Sequence, residues 1–368
     1  MSHYIESTQT SDLVLPKFSS KNPIFICVAS YTQTSEIPGI TIAGRDKGLI
    51  PYTPAADVEF LYYGRCRSIS GVPATPDGVP TPALITRASL MRSNIPLLVV
   101  NSGLKITPEI PYISFNVNYG KNIRIQNGTT YLDFKKALEY GKYIGENLSK
   151  SNDIIIIGET IPGGTTTALA VLKGIGVDAE FKVSSSMIEN PHRLKNIVVS
   201  EAIERTNLNM SKNNMDKLEL IASLGDPMIP ASSGIAHGAV IGGAKVMLAG
   251  GTQMCAVLGV LKILGTPLDN ICIATTSYVL NDNSSDIKWL VASIAEKVPI
   301  LSIDLDFKSS SIHGLNMYCH GIAKEGVGAG GAAIASILKD GANNDKFTLL
   351  KSIENEYEKA IAAKHVTG

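Results

Sequence analysis

The sequence has no surplus of charge of either sign. Thirty-three Lys and Arg residues balance 33 Asp and Glu residues over 368 positions. That balance removes the basic electrostatic footprint that nucleic-acid binding requires. No apolar run reaches the roughly 18 residues of a membrane span, and the N-terminus, Met-Ser-His-Tyr-Ile-Glu, is too polar for a signal peptide. Cysteine is scarce: Cys27, Cys66, Cys255, Cys272 and Cys319 are odd in number, scattered, and without a Cys-x-x-Cys pair. A disulfide framework or zinc site is therefore not expected, no metal or cofactor is called for, and a reducing cytoplasm is the expected setting. What remains is an ordinary globular composition, 44% hydrophobic and 18% charged, with 33 glycines.

The most informative stretch is 154–173. Ile154 to Ile157 are four β-branched residues in a row, the mark of a strand buried on both faces in a parallel sheet. Gly158 is expected to end that strand. Pro162, Gly163 and Gly164 then form a loop, and Thr165, Thr166 and Thr167 cap a helix whose apolar face is Ala168, Leu169, Val171 and Leu172. A strand, a glycine turn and a hydroxyl-rich helix start make an anion site, because glycines let a phosphate approach the free N–H groups. The loop is neither Walker A nor G-x-G-x-x-G. Glu159, repelled by a phosphate, is expected to face ribose hydroxyls. A plain turn with an exposed Glu is the alternative.

Around this unit the chain alternates strand and helix, which implies an α/β fold with a mostly parallel sheet flanked by helices. Residues 1–22 read as a loose arm, 23–345 as the α/β catalytic domain with a smaller N-terminal appendage, and 346–368 as a C-terminal helix. Strands are expected at 24–29, 58–63, 97–100, 246–249, 271–276 and 299–305. Helices are expected at 86–92, 130–148, 191–205 (with Asn190 as N-cap), 215–224, 227–243, 253–264, 285–297 and 347–364. Arg45, Arg65, Arg67, Arg87 and Arg92 form a possible anion clamp or a solvated surface. His237 reads as a structural histidine before an acid or base. Gly250-Gly251-Thr252-Gln253 repeats the strand–glycine–hydroxyl–helix unit. Lys324-Glu325-Gly326-Val327-Gly328-Ala329 opens another glycine-rich helix and again carries a carboxylate. Three such loops belong at the C-terminal ends of parallel strands, where open α/β sheets bind ligands. The residues alone stop at a nucleotide or sugar-phosphate site with one or two carboxylates.

These motifs resemble the nicotinate-nucleotide–dimethylbenzimidazole phosphoribosyltransferases of cobalamin assembly, and more closely their divergent archaeal-type relatives. The family's Gly-Glu-x-x-x-Gly-x-Thr-Thr loop is matched by Gly158, Glu159, Gly163, Thr165 and Thr166. Its phosphate-lysine helix resembles the run from Arg193 through Lys195 to Val199, and its Gly-Gly turn resembles Val246 to Thr252. Its Gly-Glu-Gly-x-Gly-Ala segment is matched by Glu325, Gly326, Gly328 and Ala329, with Lys324 replacing the first glycine. The resemblance covers roughly 150–340. The bacterial Gly-Ser-Leu-Gly segment is absent, Gly164 replaces the phosphate-loop asparagine, and Tyr278-Val279-Leu280-Asn281 stands where a His-Arg-Ser-rich stretch is usual.

The resemblance implies transfer of 5-phosphoribose from nicotinate mononucleotide to a benzimidazole-type base, giving an α-ribotide, by a homodimer whose substrates are those two small molecules. It implies Glu325 as general base and Glu159 as the partner of the ribose. Gly163, Gly164, Thr165, Thr166, Lys195, Gly250, Gly251, Gly326 and Gly328 then hold the substrate. Helix 227–243, rich in small residues, would suit close packing between subunits. Two alternatives stay open: a non-catalytic nucleotide-binding or regulatory protein, and a transferase acting on another base such as a purine.

Overall fold

A computed structural model of the chain describes residues 5–43, 47–75, 77–213, 216–341 and 345–364. Eight strands, β1 (Ile5–Ser7), β2 (Pro23–Ala29), β3 (Leu97–Asn101), β4 (Ile113–Ser114), β5 (Ile154–Thr160), β6 (Lys245–Ala249), β7 (Ile271–Thr276) and β8 (Ile300–Ile303), form one sheet. Their order is β1-β8-β7-β6-β5-β2-β3-β4. Every neighbouring pair is parallel except β1 with β8. Fourteen helices among the described residues accompany them: α1 (Ser11–Lys17), α2 (Thr53–Tyr63), α3 (Ala83–Arg92), α4 (Tyr131–Leu148), α5 (Gly164–Gly174), α6 (His192–Asn213), α7 (Lys217–Leu224), α8 (Met228–Ile241), α9 (Gln253–Ile263), α10 (Ser277–Leu280), α11 (Ile287–Ala295), α12 (His313–Asn316), α13 (Ala329–Asp340) and α14 (Lys346–Lys364).

The sheet is the middle of three layers. Side chains alternate along each strand, so Ile26, Val28, Ile155, Ile157, Val246 and Leu248 enter one core, which they share with α5, α8 and α9. Phe25, Cys27, Ile154, Ile156 and Met247 enter the other, shared with α3 and α13. Strands buried on both faces lose the alternating polar signal, which is why Ile154–Ile157 reads as a solid apolar run. The sheet grows outward from β2 through β3 to β4, and on the other side from β5 to β8. The topological switch point therefore lies between β2 and β5, where open α/β sheets carry their ligands.

Several expectations change. Part of segment 1–22 is docked: β1 pairs with β8, and Val14, Leu15 and Phe18 are buried in the second core. Residues 58–63 belong to helix α2. Pro54 at its first turn favours a helix start, and burial of positions 54–61 erases the amphipathic pattern that would have shown it. Strand β5 does not end at Gly158 but runs to Thr160, paired residue for residue with β2 from Cys27 to Ala29. Leu349, Leu350 and Ile353 of α14 join the second core. The small residues of α8 are used within the chain. A Cβ on Gly234 or Gly238 would run into the backbone of α4 at Leu138 and Lys142, and one on Gly141 or Gly145 into α8. They are therefore not available to a second subunit.

Candidate active site

At the C-terminal ends of β5, β6 and β7 lies a cleft of about 690 Å³. Its polar wall comes from Glu159 to Thr165, Ser184 to Ser186, Gly251, Gln253 and the loop 323–327. Its apolar wall comes from Ile40, Ile42, Leu49, Tyr52, Ile69 and Val72, together with Tyr357 and Ile361 of α14.

Helix α5 points its N-terminus at this cleft. Gly163 caps it at φ +76°, and a Cβ there would come within 3.0 Å of the Ser35 backbone, so both conformation and space favour glycine. The cap is therefore Gly163 and not a threonine. Thr167 turns inward, giving its hydroxyl to Asp226 at 2.5 Å, and Thr166 is buried with its Oγ1 unpartnered. Thr165 alone of the three threonines lines the cleft.

Glu159 is only 3% exposed. Burial raises its pKa to about 8, and Asp226, Glu325 and Asp57 add to the rise against one N–H bond from Ile161. Glu325 is half-buried and faces the same cleft. Its carboxylate accepts from the Thr275 hydroxyl (3.3 Å) and from the N–H groups of Thr276 (3.0 Å), Gly326 (3.1 Å) and Gly330 (3.2 Å). Burial outweighs these donors and lifts its pKa to about 7. Asp57, which the sequence did not mark, also lines the cleft. The hydroxyls of Thr81 and Thr160 each donate to it at 2.7 Å, and burial raises its pKa to about 6. Its signal was the Thr53-Pro54 helix start, which places position 57 on a helix instead of just ahead of a strand. The run Ser184-Ser185-Ser186 also lines the cleft, a hydroxyl cluster plain in the sequence but without a motif to mark it.

The loop bearing Glu325 is strained. Five of residues 321–328 have positive φ, and two of them, Ala323 at 52° and Val327 at 54°, are not glycine. The loop crosses β5 in direct backbone contact: a Cβ on Gly328 would lie 2.9 Å from the Gly158 Cα, and one on Gly158 would lie 2.6 Å from the Phe25 ring. The Val327 N–H donates to the Glu159 carbonyl at 2.9 Å, and the Thr86 hydroxyl donates to the Val327 carbonyl at 2.9 Å. Gly158 thus serves this crossing.

Gly163, Gly164, Thr165, Gly251, Glu159, Glu325 and Gly326 converge on the cleft; Thr166, Gly250, Gly328 and Lys195 stand outside its lining. Lys195 is fully buried behind the serine run, donating to the Ser184 carbonyl (2.7 Å) and to Asn190 Oδ1 (3.1 Å). Burial lowers its pKa to about 7. The Asn190 side chain is spent on Lys195, Val183 and Ser284, so it does not cap α6. Of the five arginines Arg45 lies outside the described residues, and none of the other four lines the cleft: Arg87 pairs with Glu356 at 2.9 Å and Arg67 with Glu109 at 3.4 Å. His237 bonds Thr266 at 2.8 Å, away from the cleft, as a structural histidine does. Among the described residues no cluster of three or more His, Cys, Asp or Glu could hold a metal ion, and no helix is long and apolar enough to cross a membrane.

A family model described as "Phosphoribosyltransferase" matches residues 90–279, more than half of the chain. The chain belongs to this phosphoribosyltransferase family. A UPF0284 protein of Archaeoglobus fulgidus is 44% identical over 337 residues, covering 92% of this chain and 94% of that protein. Another, from Sulfurisphaera tokodaii, is 45% identical over 338 residues, 91% of this chain and 93% of that one. The crystal structure of a nicotinate-nucleotide–dimethylbenzimidazole phosphoribosyltransferase from Thermus thermophilus superposes with a TM-score of 0.59 at 14% identity, covering 91% of this chain and 83% of that one. At that identity the superposition shows a shared α/β fold. The match runs from 90 to 279, so Glu325 and the apolar wall lie outside it, the wall partly before and partly after.

Proposed function

We propose that the chain transfers 5-phosphoribose from nicotinate mononucleotide to a benzimidazole-type base, giving the α-ribotide that forms the lower ligand of cobamides. The observation that carries this reading is Glu325, a carboxyl group with a pKa near 7 at the edge of a cleft that ends in a helix N-terminus. A base poised near the working pH is what proton abstraction from an azole requires.

The electrostatics favour this donor. Among the described lining residues Lys324 is the one cation, and it is already paired with Asp282 at 2.7 Å. Asp57, Glu159 and Glu325 face the same space. A pyridinium ribotide brings a positive ring to these carboxylates and a single phosphate to the α5 N-terminus and the serine run. A pyrophosphorylated donor would bring several negative charges to the same wall.

In the reaction Glu325 takes the N–H proton of the base. The other ring nitrogen attacks the ribose anomeric carbon as its bond to the pyridinium nitrogen breaks. The bonding pair returns to that nitrogen, nicotinate leaves, and the anomeric centre inverts. Positive charge developing on the ribose is stabilised by Glu159, whose own ionisation the cationic substrate favours. Lys195 contributes from behind the wall, holding Ser184 in place. The test is an assay of purified protein with nicotinate mononucleotide and a panel of bases, following nicotinate and the ribotide by mass spectrometry. Product with a benzimidazole supports the reading. Binding of the mononucleotide without product from any base would sink it.

A further inference from the structure

Two charged side chains meet beside Glu325: Lys324, its neighbour in the chain, and Asp282, just after Tyr278-Val279-Leu280-Asn281. Their side chains form an ion pair of 2.7 Å with 5% and 8% of their surfaces exposed. The Asp282 carboxylate is saturated: the Ser284 N–H and hydroxyl and the Ser285 hydroxyl donate to it as well. A buried lysine would be costly without such a partner.

We propose that Asp282 and Lys324 are positioning residues that set the orientation of Glu325. This rests on the reading of Glu325 as the base. Each neighbour of Glu325 in the strained loop is tied down from a different side. Ala323 N–H donates to the Ser186 carbonyl (3.0 Å), the Thr276 hydroxyl donates to the Lys324 carbonyl (2.5 Å), and Val327 is fixed to β5 and α3. The Lys324 side chain supplies the tie toward the segment after α10. It is the one tie in this set made by a charged side chain of the loop itself. Without it, the positive-φ residues Ala323 and Val327 have a cheaper backbone conformation to relax into. Asn190 and His192 brace the far side of the same segment through the Ser284 carbonyl, at 3.2 and 2.6 Å, so the anchor for Asp282 is itself fixed.

Three proteins test this: Asp282→Asn, Lys324→Met, and the double variant Asp282→Leu/Lys324→Met. Each single variant is expected to lower kcat by about 10²-fold, the effect of a misplaced catalytic group, with KM for nicotinate mononucleotide little changed. The double variant removes both charges and is expected to regain thermal stability but not kcat. A double variant with wild-type kcat would show that the pair only neutralises charge, and would overturn the proposal. Hydrogen exchange supplies a readout that does not need turnover. The amides of Gly326 and Gly330, which donate to Glu325, are expected to exchange faster in all three variants under native conditions. Unchanged exchange there would overturn the positioning role. A wild-type protein inactive with every base, yet showing this exchange pattern, would fault the reaction assigned above and leave the positioning role standing.

Discussion

The two walls of the cleft are built on different principles. The polar wall is made of strand ends and glycine turns: Glu159 from β5, Gly251 after β6, Thr275 and Thr276 donating to Glu325 from β7. Its groups are held by backbone geometry. The apolar wall is made of side chains on irregular chain (Ile42, Ile69, Val72), on a short 3-10 turn (Leu49) and on α14 (Tyr357, Ile361). Backbone-built sites tolerate little change, because a methyl group displaces the chain, whereas a side-chain wall adjusts by substitution. On the proposed reaction, the first wall carries the chemistry and the second the choice of base.

Breaking the polar wall is expected to have the largest effect. Glu325→Gln keeps the shape and removes the proton acceptor, so turnover should fall by about 10²- to 10⁴-fold while nicotinate mononucleotide still binds in calorimetry. Retained turnover would remove Glu325 from the mechanism. Next comes Gly328→Ala, which meets Gly158 at 2.9 Å and a φ of +69°. A loss of about 1–3 kcal/mol in urea denaturation is expected, with a fall in kcat as the loop lifts off β5.

The pH dependence separates the carboxylates. Glu325 must be ionised to act, so kcat/KM should rise with pH through about 7 and then level off. Stability should move the other way. Burial holds Glu159 at about 8, above its ordinary value of 4.5. Its contribution is thus fully present below that ordinary value and lost as pH rises through 8. Glu159→Gln should therefore be more stable than the wild type at pH 9 and slower in turnover. A melting curve at pH 5 and pH 9 checks the sign.

The apolar wall is expected to give smaller effects. Tyr357→Ala or Ile361→Ala should raise KM for the base by about tenfold, with little change for the mononucleotide, in line with lost apolar contact. Away from both walls, Arg67→Ala removes a largely exposed pair with Glu109 and should change stability by no more than about 0.5 kcal/mol.

The same division decided what could be read from the sequence. The backbone-built wall was legible because its requirements are local: β-branched residues for β5 and β7, glycines for the three turns, and a carboxylate beside two of them. The strands at 24–29, 97–100, 246–249 and 271–276 followed from the same signals. Asp57 was missed because α2 is buried around most of its circumference and shows no amphipathic period. The place of Lys195 behind the wall was not legible either. Its fit between Ser184 and Asn190 depends on how residues 184–190 fold back, a tertiary fact with no local signature. The docking of residues 5–18 was hidden for the same reason: a three-residue strand carries almost no pattern of its own.

That docking bears on how the molecule is made. Ile5 pairs with Ile303, Thr8 bonds the Ile300 backbone, and Ser19 reaches the Leu338 carbonyl. During synthesis this segment must wait for residues 300–303 before it has a partner. The rest of the sheet can assemble in the meantime, but its β8 edge closes only when both β1 and β8 are present. Removal of residues 1–10 should therefore leave a sheet that forms and an edge that stays open to other chains, seen as aggregation during refolding and not as loss of the cleft.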